Sequence, residues 1–263
     1  LDLSNVDAVI HSAGVIDEGF AEDSHSAFLR STVGLLPLVR NAAKAGVNRF
    51  VYFSTAHVYG PMEGVISEDS HVNPLSDYAI AHYAAEQIIR RYAASTDLTA
   101  MVVRPNAVFG IPTYPDLFSR WHLIPFSFPL NAVRLERIEL RSPGEQVRNF
   151  ISTEDLAGYV GRFLEIDEHC DKYTVVNPVG PSSFSVYEFA KKCLSVCREI
   201  TGVEGDLIAP AVPLGSVVDP ETKFMFETRH SFYSPSVNVE GYIGAIIRRA
   251  IKEDRFGEDK ISG

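Results

Sequence analysis

Four short apolar runs punctuate the chain, each stopped by small or polar residues. Asp7-Ala8-Val9-Ile10-His11 closes on Ser12-Ala13-Gly14, and Arg49 to Phe53 closes on Ser54-Thr55. Thr99 to Arg104 is stopped by Pro105, and Tyr173 to Val176 is the fourth. Runs of this length between turn-forming residues predict strands buried on both faces. Helical spacing fills the intervals. Phe28, Leu35, Leu38, Val39 and Ala42 share a face and predict one helix over Ser24–Ala45, ended at Gly46. Pro37 lies inside that helix and should kink it. Ser76 to Ala94 predicts a second helix, capped by Ser76 or Asp77. Thr153 to Glu165 predicts a third, with Glu154 and Asp155 at its positive end. Ser185-Val186-Tyr187-Glu188 spells a capping box whose helix should run to Gly202, and Val239 to Lys252 predicts a last amphipathic helix. Strands alternating with helices predict an α/β fold on a parallel sheet.

From Ile111 to Gly144 the periodicity fades. The stretch holds Trp121 and prolines at 112, 115, 125, 129 and 143, which predicts a long insertion, part of a substrate-side lobe. Its arginines at 134, 137 and 141 read as a solvated face.

The 263 residues are 46% hydrophobic and 22% charged, which is ordinary for a globular chain of one large or two small domains. A formal net charge of −10 argues against nonspecific binding to nucleic acid or to a membrane surface. It leaves anionic small substrates open, because a local arginine can oppose the global sign. The longest weakly polar run, Leu123 to Val133, falls far short of the ~20 residues that span a bilayer. Leu1 to Asn5 show neither the basic start nor the apolar core of a signal peptide. Three cysteines, Cys170, Cys193 and Cys197, suit a reducing compartment, so a cytoplasmic location is expected. Cys193 and Cys197 lie one helical turn apart. No His or Cys pair completes a tetrad with them, so they read as core thiols and no metal is expected.

The densest chemistry runs from Phe50 to His82. A buried strand ends there on two hydroxyls, Ser54 and Thr55. Tyr78 and His82, four apart on a helix, share one face. A hydroxyl pair, a phenol and an imidazole could therefore converge at the carboxyl edge of a sheet. Taken singly, Ser-Thr at a strand end is usually structural, and a Tyr and a His on one face can simply pack.

These residues resemble a known family. Thr55-Ala56-His57-Val58-Tyr59-Gly60 and Tyr78-Ala79-Ile80-Ala81-His82 are similar to the Ser/Thr-x-x-Val-Tyr-Gly and Tyr-x-x-x-Lys motifs of extended short-chain dehydrogenases/reductases. The likeness is to their NAD-dependent epimerase/dehydratase group, which acts on nucleotide sugars. His82 stands where that group has Lys. Further matches follow in the same order. His11-Ser12-Ala13-Gly14 resembles the loop lying along the cofactor, and Arg104-Pro105-Asn106-Ala107-Val108-Phe109-Gly110 resembles Arg-Pro-x-Asn-Val-Tyr-Gly. Arg148-Asn149-Phe150-Ile151-Ser152-Thr153-Glu154-Asp155-Leu156-Ala157 resembles Arg-Asp-Phe-Ile-His-Val-Asp-Asp-Leu-Ala. After residue 180 the likeness is weak.

The resemblance implies a Rossmann-like parallel sheet with a smaller C-terminal substrate lobe. Residues 1–110 would be a partial dinucleotide-binding domain. Residues 111–263 would be a mixed region in which about 150–180 return to that core. The family's Gly-rich pyrophosphate turn is absent, so the N-terminal strands are missing and this is expected to be a fragment that begins at the family's fourth strand. The strand near Ala8 would then be an edge, cofactor binding by the fragment weak, and the piece prone to association.

The resemblance also implies roles. Thr55, Tyr78 and His82 would be catalytic, with Tyr78 the general base. Ser12, Ala13, Phe53, Tyr78, His82 and Pro105 would line NAD or NADP. Thr55, Asn106 and Arg148 would meet a nucleotide-sugar substrate, Arg148 at its diphosphate. The alternative for Arg148 is an ion pair with Glu145 or Glu154. His57 either faces the substrate or is an exposed loop residue. Ser54 is expected to bond backbone. A lysine ammonium lowers a neighbouring phenol's pKa, whereas a His with pKa near 6.5 is charged in only roughly a quarter of molecules at pH 7. Family dehydratases carry Asp-Glu after the catalytic Thr, and Ala56 and His57 stand there, so the implied reaction is epimerisation or reduction rather than dehydration. The alternative is a non-catalytic dinucleotide-binding or sensing relative. A homodimer is a possible assembly, and neither nucleic acid nor membrane is an expected partner.

Overall fold

The computed structural model describes residues 2–166, 171–211 and 224–258, the side chains of the last stretch to 253. Cys170 lies outside the described residues. In chain order the strands are β1 (Ala8–His11), β2 (Arg49–Phe53), β3 (Val65–Ile66), β4 (Thr99–Val103), β5 (Ala107–Phe109), β6 (Arg137–Glu139), β7 (Val147–Ser152), β8 (Tyr173–Val176), β9 (Ser182–Ser185), β10 (Asp206–Ile208) and β11 (Met225–Phe226). The helices are α1 (Asp17–Glu22), α2 (Ser24–Phe28), α3 (Leu35–Ala45), α4 (Asp77–Ser95), α5 (Ile124–Arg134), α6 (Thr153–Glu165), α7 (Val186–Thr201) and α8 (Val239–Glu258).

The chain divides into two compact units. The first comprises Leu1–Asn106, Leu156–Val179 and Met225–Ser234. Its frame is a parallel sheet in the order β1-β2-β4-β8, the expected α/β arrangement. Every residue of β4 is buried, as an inner strand covered on both faces requires. Leu35, Val39 and Ala42 from α3 and Ala85, Ile89 and Ala93 from α4 pack with Phe50, Ala100 and Val102 in one core. Gly46 closes α3 in the left-handed conformation, φ 77°.

The expected helix over Ser24–Ala45 forms with a π-type turn inside it. The turn, Leu29–Val33, separates α2 from α3, with Gly34 N bonding Leu29 O at 2.8 Å. It gives Pro37 a place in the first turn of α3, where a missing N–H costs no hydrogen bond. The backbone stays right-handed helical at Phe28, Leu29 and Gly34, so the chain runs through the π-type turn without leaving the helix.

The second unit comprises Ala107–Asp155, Gly180–Phe224 and Pro235–Gly263. It holds a sheet ordered β5-β7-β9 and a parallel pair β10-β6. Phe126, Phe128, Phe150, Phe189, Ile243 and Ile247 form its core with Cys193 and Cys197. Both cysteines are free, buried thiols on α7. The stretch read as an insertion contains α5, with Pro125 at its start and Pro129 inside. Pro129 lacks the N–H that would bond the carbonyl four residues back. The Tyr242 hydroxyl donates to that carbonyl, Pro125 O, at 3.0 Å. A tertiary contact thus completes a helix that its own sequence interrupts. The capping box at Ser185 and Glu188 is formed as expected, and Gly202 ends α7. The last helix runs beyond Lys252 to Glu258. Among the described residues, no helix is long and apolar enough to cross a membrane.

Candidate functional site

β2 and β4 end side by side, and their backbones stay joined beyond the strands. Ser54 N bonds Val103 O at 2.8 Å, and Ala56 N bonds Pro105 O at 2.9 Å. The chain then makes a tight 3-10 turn, Ala56–Tyr59, with Thr55 as its cap: Thr55 Oγ1 accepts from His57 N at 3.2 Å. That bond occupies an acceptor position and leaves the Thr55 hydroxyl hydrogen free to donate. Gly60 follows at φ 86°, where a Cβ would collide with Asn73 O. The turn therefore requires glycine.

α4 begins with Ser76 Oγ accepting from Ala79 N at 3.2 Å and carries Tyr78, His82 and Glu86 down one face. The Tyr78 and His82 rings meet edge-on with centroids 4.5 Å apart. Phe20 packs against Tyr78 from the α1 side at 6.2 Å, and the exposed His57 lies 6.3 Å from it. Behind His82 stands a residue the sequence reading passed over. Tyr52 Oη is 2.8 Å from His82 Nδ1, and both side chains are buried. Burial, then the charges of His11 and His57, push the His82 pKa down to about 4. His82 is therefore neutral near pH 7, in place of the quarter-charged ring expected from an ordinary histidine. Burial likewise pushes the Tyr52 phenol up, with the Glu86 and Tyr78 charges adding to it, and lowers His11.

Ser54 departs from expectation. Its hydroxyl donates to Glu86 Oε1 at 2.5 Å, not to backbone. Glu86 is fully buried and also receives Arg104 Nε at 3.0 Å and Arg104 Nη2 at 2.5 Å. Arg104 lies over the Tyr59 ring, 4.9 Å from its centroid, and Tyr59 Oη donates to Asn177 Oδ1 at 2.8 Å. A polar seam thus runs under the strand ends. A carboxylate four residues after His82, on the stripe that also carries Ala85 and Ile89, is the sequence signal for it. A charge on an apolar stripe needs a buried partner.

The remaining expected residues stand as follows. Ser12 and Ala13 are exposed in the turn after β1, and Gly14 of the same turn faces the His82 ring. Phe53, Pro105 and Asn106 are half-buried, and Asn106 Nδ2 lies 3.7 Å from Met62 Sδ. Arg148 belongs to the second unit. Its Nη1 donates to Val147 O at 2.9 Å, and burial lowers its pKa. Among the described residues it pairs with neither Glu145 nor Glu154.

Residues 1–177 match the model of the NAD dependent epimerase/dehydratase family. The chain is 30% identical over 197 residues to the low-salt glycan biosynthesis protein Agl12 of Haloferax volcanii, covering 71% of this chain and 61% of that one. It is 26% identical over 201 residues to the dTDP-D-glucose 4,6-dehydratase of Mus musculus, covering 75% of this chain and 54% of that one. The matches thus span little more than half the length of these relatives. Among solved structures, MoeE5 in complex with UDP-glucose and NAD superposes with a TM-score of 0.73 at 22% identity, over 95% of this chain and 81% of that one. That likeness is one of fold, and it agrees with the expected Rossmann-like sheet.

Proposed function

This chain belongs to the NAD dependent epimerase/dehydratase family, and on that footing we propose that it serves hydride transfer between NAD or NADP and a sugar carbon of a nucleotide sugar, with Tyr78 handling the proton. The observation that carries the reading is Tyr78 set edge-on, at 4.5 Å, against a histidine that burial keeps neutral. A tyrosine phenol is ordinarily protonated at pH 7. A neighbouring ammonium would draw it toward phenolate, whereas a neutral imidazole exerts no such pull. The arrangement therefore suits the reductive direction. Tyr78 gives its proton to the oxygen of a keto sugar as hydride reaches the carbon, and the resulting phenolate takes a proton back from water. Thr55, whose hydroxyl hydrogen meets no acceptor among the described residues, donates a hydrogen bond to the same oxygen.

A bound nicotinamide would supply the hydride. Ser12, Ala13, Phe53, His82 and Pro105 would hold it. The fit rests on the exposed turn at Ser12–Gly14 and on His82 Nε2, the ring nitrogen that Tyr52 does not engage. On the substrate side Asn106 would orient the sugar. Ala56 and His57 offer no carboxylate pair after Thr55, which favours reduction or epimerisation over dehydration.

The test is to supply UDP- and dTDP-linked 4-keto sugars with NADH or NADPH and to follow loss of the reduced cofactor. Turnover that is faster in reduction than in oxidation of the matching alcohols is expected. Cofactor binding with no turnover across that panel would instead support the second reading, a dinucleotide-binding relative without catalysis, which the same neutral His82 favours.

A further inference from the structure

A histidine ring can arrange its protons in three ways, and the surroundings of His82 suit one. Nδ1 lies 2.8 Å from Tyr52 Oη, with both side chains buried. The Cε1–Nε2 edge of the ring faces Gly14. A Cβ built on Gly14 would stand 3.7 Å from His82 Cε1 and 3.9 Å from Nε2. Suppose Nδ1 carried the proton. It would donate to Tyr52 Oη, and the Tyr52 hydroxyl hydrogen would be buried with no other acceptor among the described residues. Folded proteins avoid that arrangement. An imidazolium has the same defect. It would also place a charge in a buried site near two further imidazoles, His11 beyond Tyr52 and His57 beyond Tyr78. With the proton on Nε2, Tyr52 Oη donates to Nδ1 and each buried atom of the pair is satisfied. The one remaining donor, Nε2–H, then lies on the side of the ring next to Gly14.

We infer that Tyr52 is a positioning residue, whose hydroxyl fixes His82 as an Nε2–H donor and aims that donor at a sugar hydroxyl of a nicotinamide nucleotide lying along Ser12 to Gly14. The inference rests on the cofactor reading proposed above. A lysine at this helix position would offer three donors on a flexible stem and would need no orienting partner. An imidazole has one donor per neutral tautomer, so its use at the same place depends on which nitrogen is protonated. The strand-borne phenol makes that choice.

The experiment is long-range nitrogen–proton NMR of the histidine rings in the whole chain at pH 7, with His82 assigned by its loss in His82→Gln. Wild type should show a pyridine-like Nδ1 and a pyrrole-like Nε2. Adding NAD or NADP should shift the Nε2 signal. Tyr52→Phe removes one hydroxyl from the same ring shape. It should move both nitrogens toward averaged values and weaken cofactor binding about two- to tenfold, the range for one lost hydrogen bond. A protonated Nδ1 or an imidazolium in wild type overturns the inference, whatever the variants do. So does a Tyr52→Phe spectrum and affinity equal to wild type. If the tautomer is as expected but neither cofactor moves the His82 signals, the cofactor reading itself fails, and with it the ligand assigned to this donor.

Discussion

Arg104 and Glu86 are joined by two hydrogen bonds, Nε to Oε1 at 3.0 Å and Nη2 to Oε2 at 2.5 Å, with side chains 5% and 0% exposed. Burial works against the charge on Arg104, but the hydrogen bonds and charge of Glu86 outweigh it and hold the guanidinium protonated. Such a pair stabilises little relative to a well-packed apolar replacement, yet breaking it strands a buried charge. Glu86→Ala is expected to cost about 3–5 kcal/mol. The double variant Glu86→Leu/Arg104→Met should cost much less than either single change. Urea titrations of wild type, Glu86→Ala, the two single variants and the double variant check this. A Glu86→Ala loss below about 1 kcal/mol would mean that water reaches Arg104 and that the seam is not closed.

His82 makes stability depend on pH. Its folded pKa of about 4 lies below the ordinary 6.5. Well above pH 6.5 both folded and unfolded chains carry it neutral, and its contribution to stability is complete. As pH falls from 6.5 toward 4 the unfolded chain takes up a proton that the folded chain refuses, so stability is lost. Between pH 7 and pH 5 the loss should be about 2 kcal/mol. His82→Gln should flatten the pH profile by that amount, whatever the other groups contribute. Denaturant midpoints at the two pH values for both proteins give the answer. Parallel profiles would show that the ring is solvated and titrates normally.

The sheet was legible because β4 has no alternative: Thr99 to Val103 is an apolar run long enough for a strand and too short for a buried helix. The Ser185–Glu188 cap was legible because both partners of its hydrogen bonds lie within four residues. What escaped depends on distant partners. Pro125 and Pro129 argue against a helix until Tyr242, more than a hundred residues on, donates to the freed carbonyl. Tyr52 reads as one more apolar residue of β2 until α4 brings His82 against it from 30 positions away. The candidate residues themselves were found by motif, but the charge state of His82 was not. Local sequence carries no measure of burial at a single ring.

A second polar knot ties three separate parts of the first unit together. Glu68 accepts from Asn177 N at 2.9 Å, from Thr228 Oγ1 at 2.6 Å and from Arg229 N at 3.0 Å. Asn177 Nδ2 in turn donates to Glu227 O at 3.1 Å. Without Glu68 the backbone of Thr228–His230 loses these bonds, while the Arg229–Asp69 pair at 2.6 Å and His230 Nε2, 2.8 Å from Val175 O, keep hold of the segment. Glu68→Ala should therefore speed hydrogen exchange at the amides of Asn177 and Arg229 and leave those of β4 unchanged. A uniform change across the sheet would show that Glu68 supports global stability instead.

The roles of Tyr78 and His82 separate under kinetics. Tyr78→Phe loses one hydroxyl from a half-buried ring that packs on Phe20 and His82, so its stability should stay within about 0.5 kcal/mol of wild type. Its reduction of keto sugars should fall about 100- to 10,000-fold, the range for loss of a general acid. His82→Lys acts in the opposite sense on one direction only. An ammonium beside the phenol favours the phenolate, the form that accepts a proton when an alcohol is oxidised. Oxidation should rise relative to reduction, and the pH at which oxidation reaches half its maximum should move down. The substitution also leaves the Tyr52 hydroxyl without Nδ1, so the variant should be less stable by about 1–3 kcal/mol even where its oxidation is faster. Initial rates in both directions across pH 6 to 10 decide the matter. Equal turnover by wild type and Tyr78→Phe would remove Tyr78 from the chemistry. A His82→Lys profile superimposable on wild type would show that the neutral imidazole is not what sets the preferred direction.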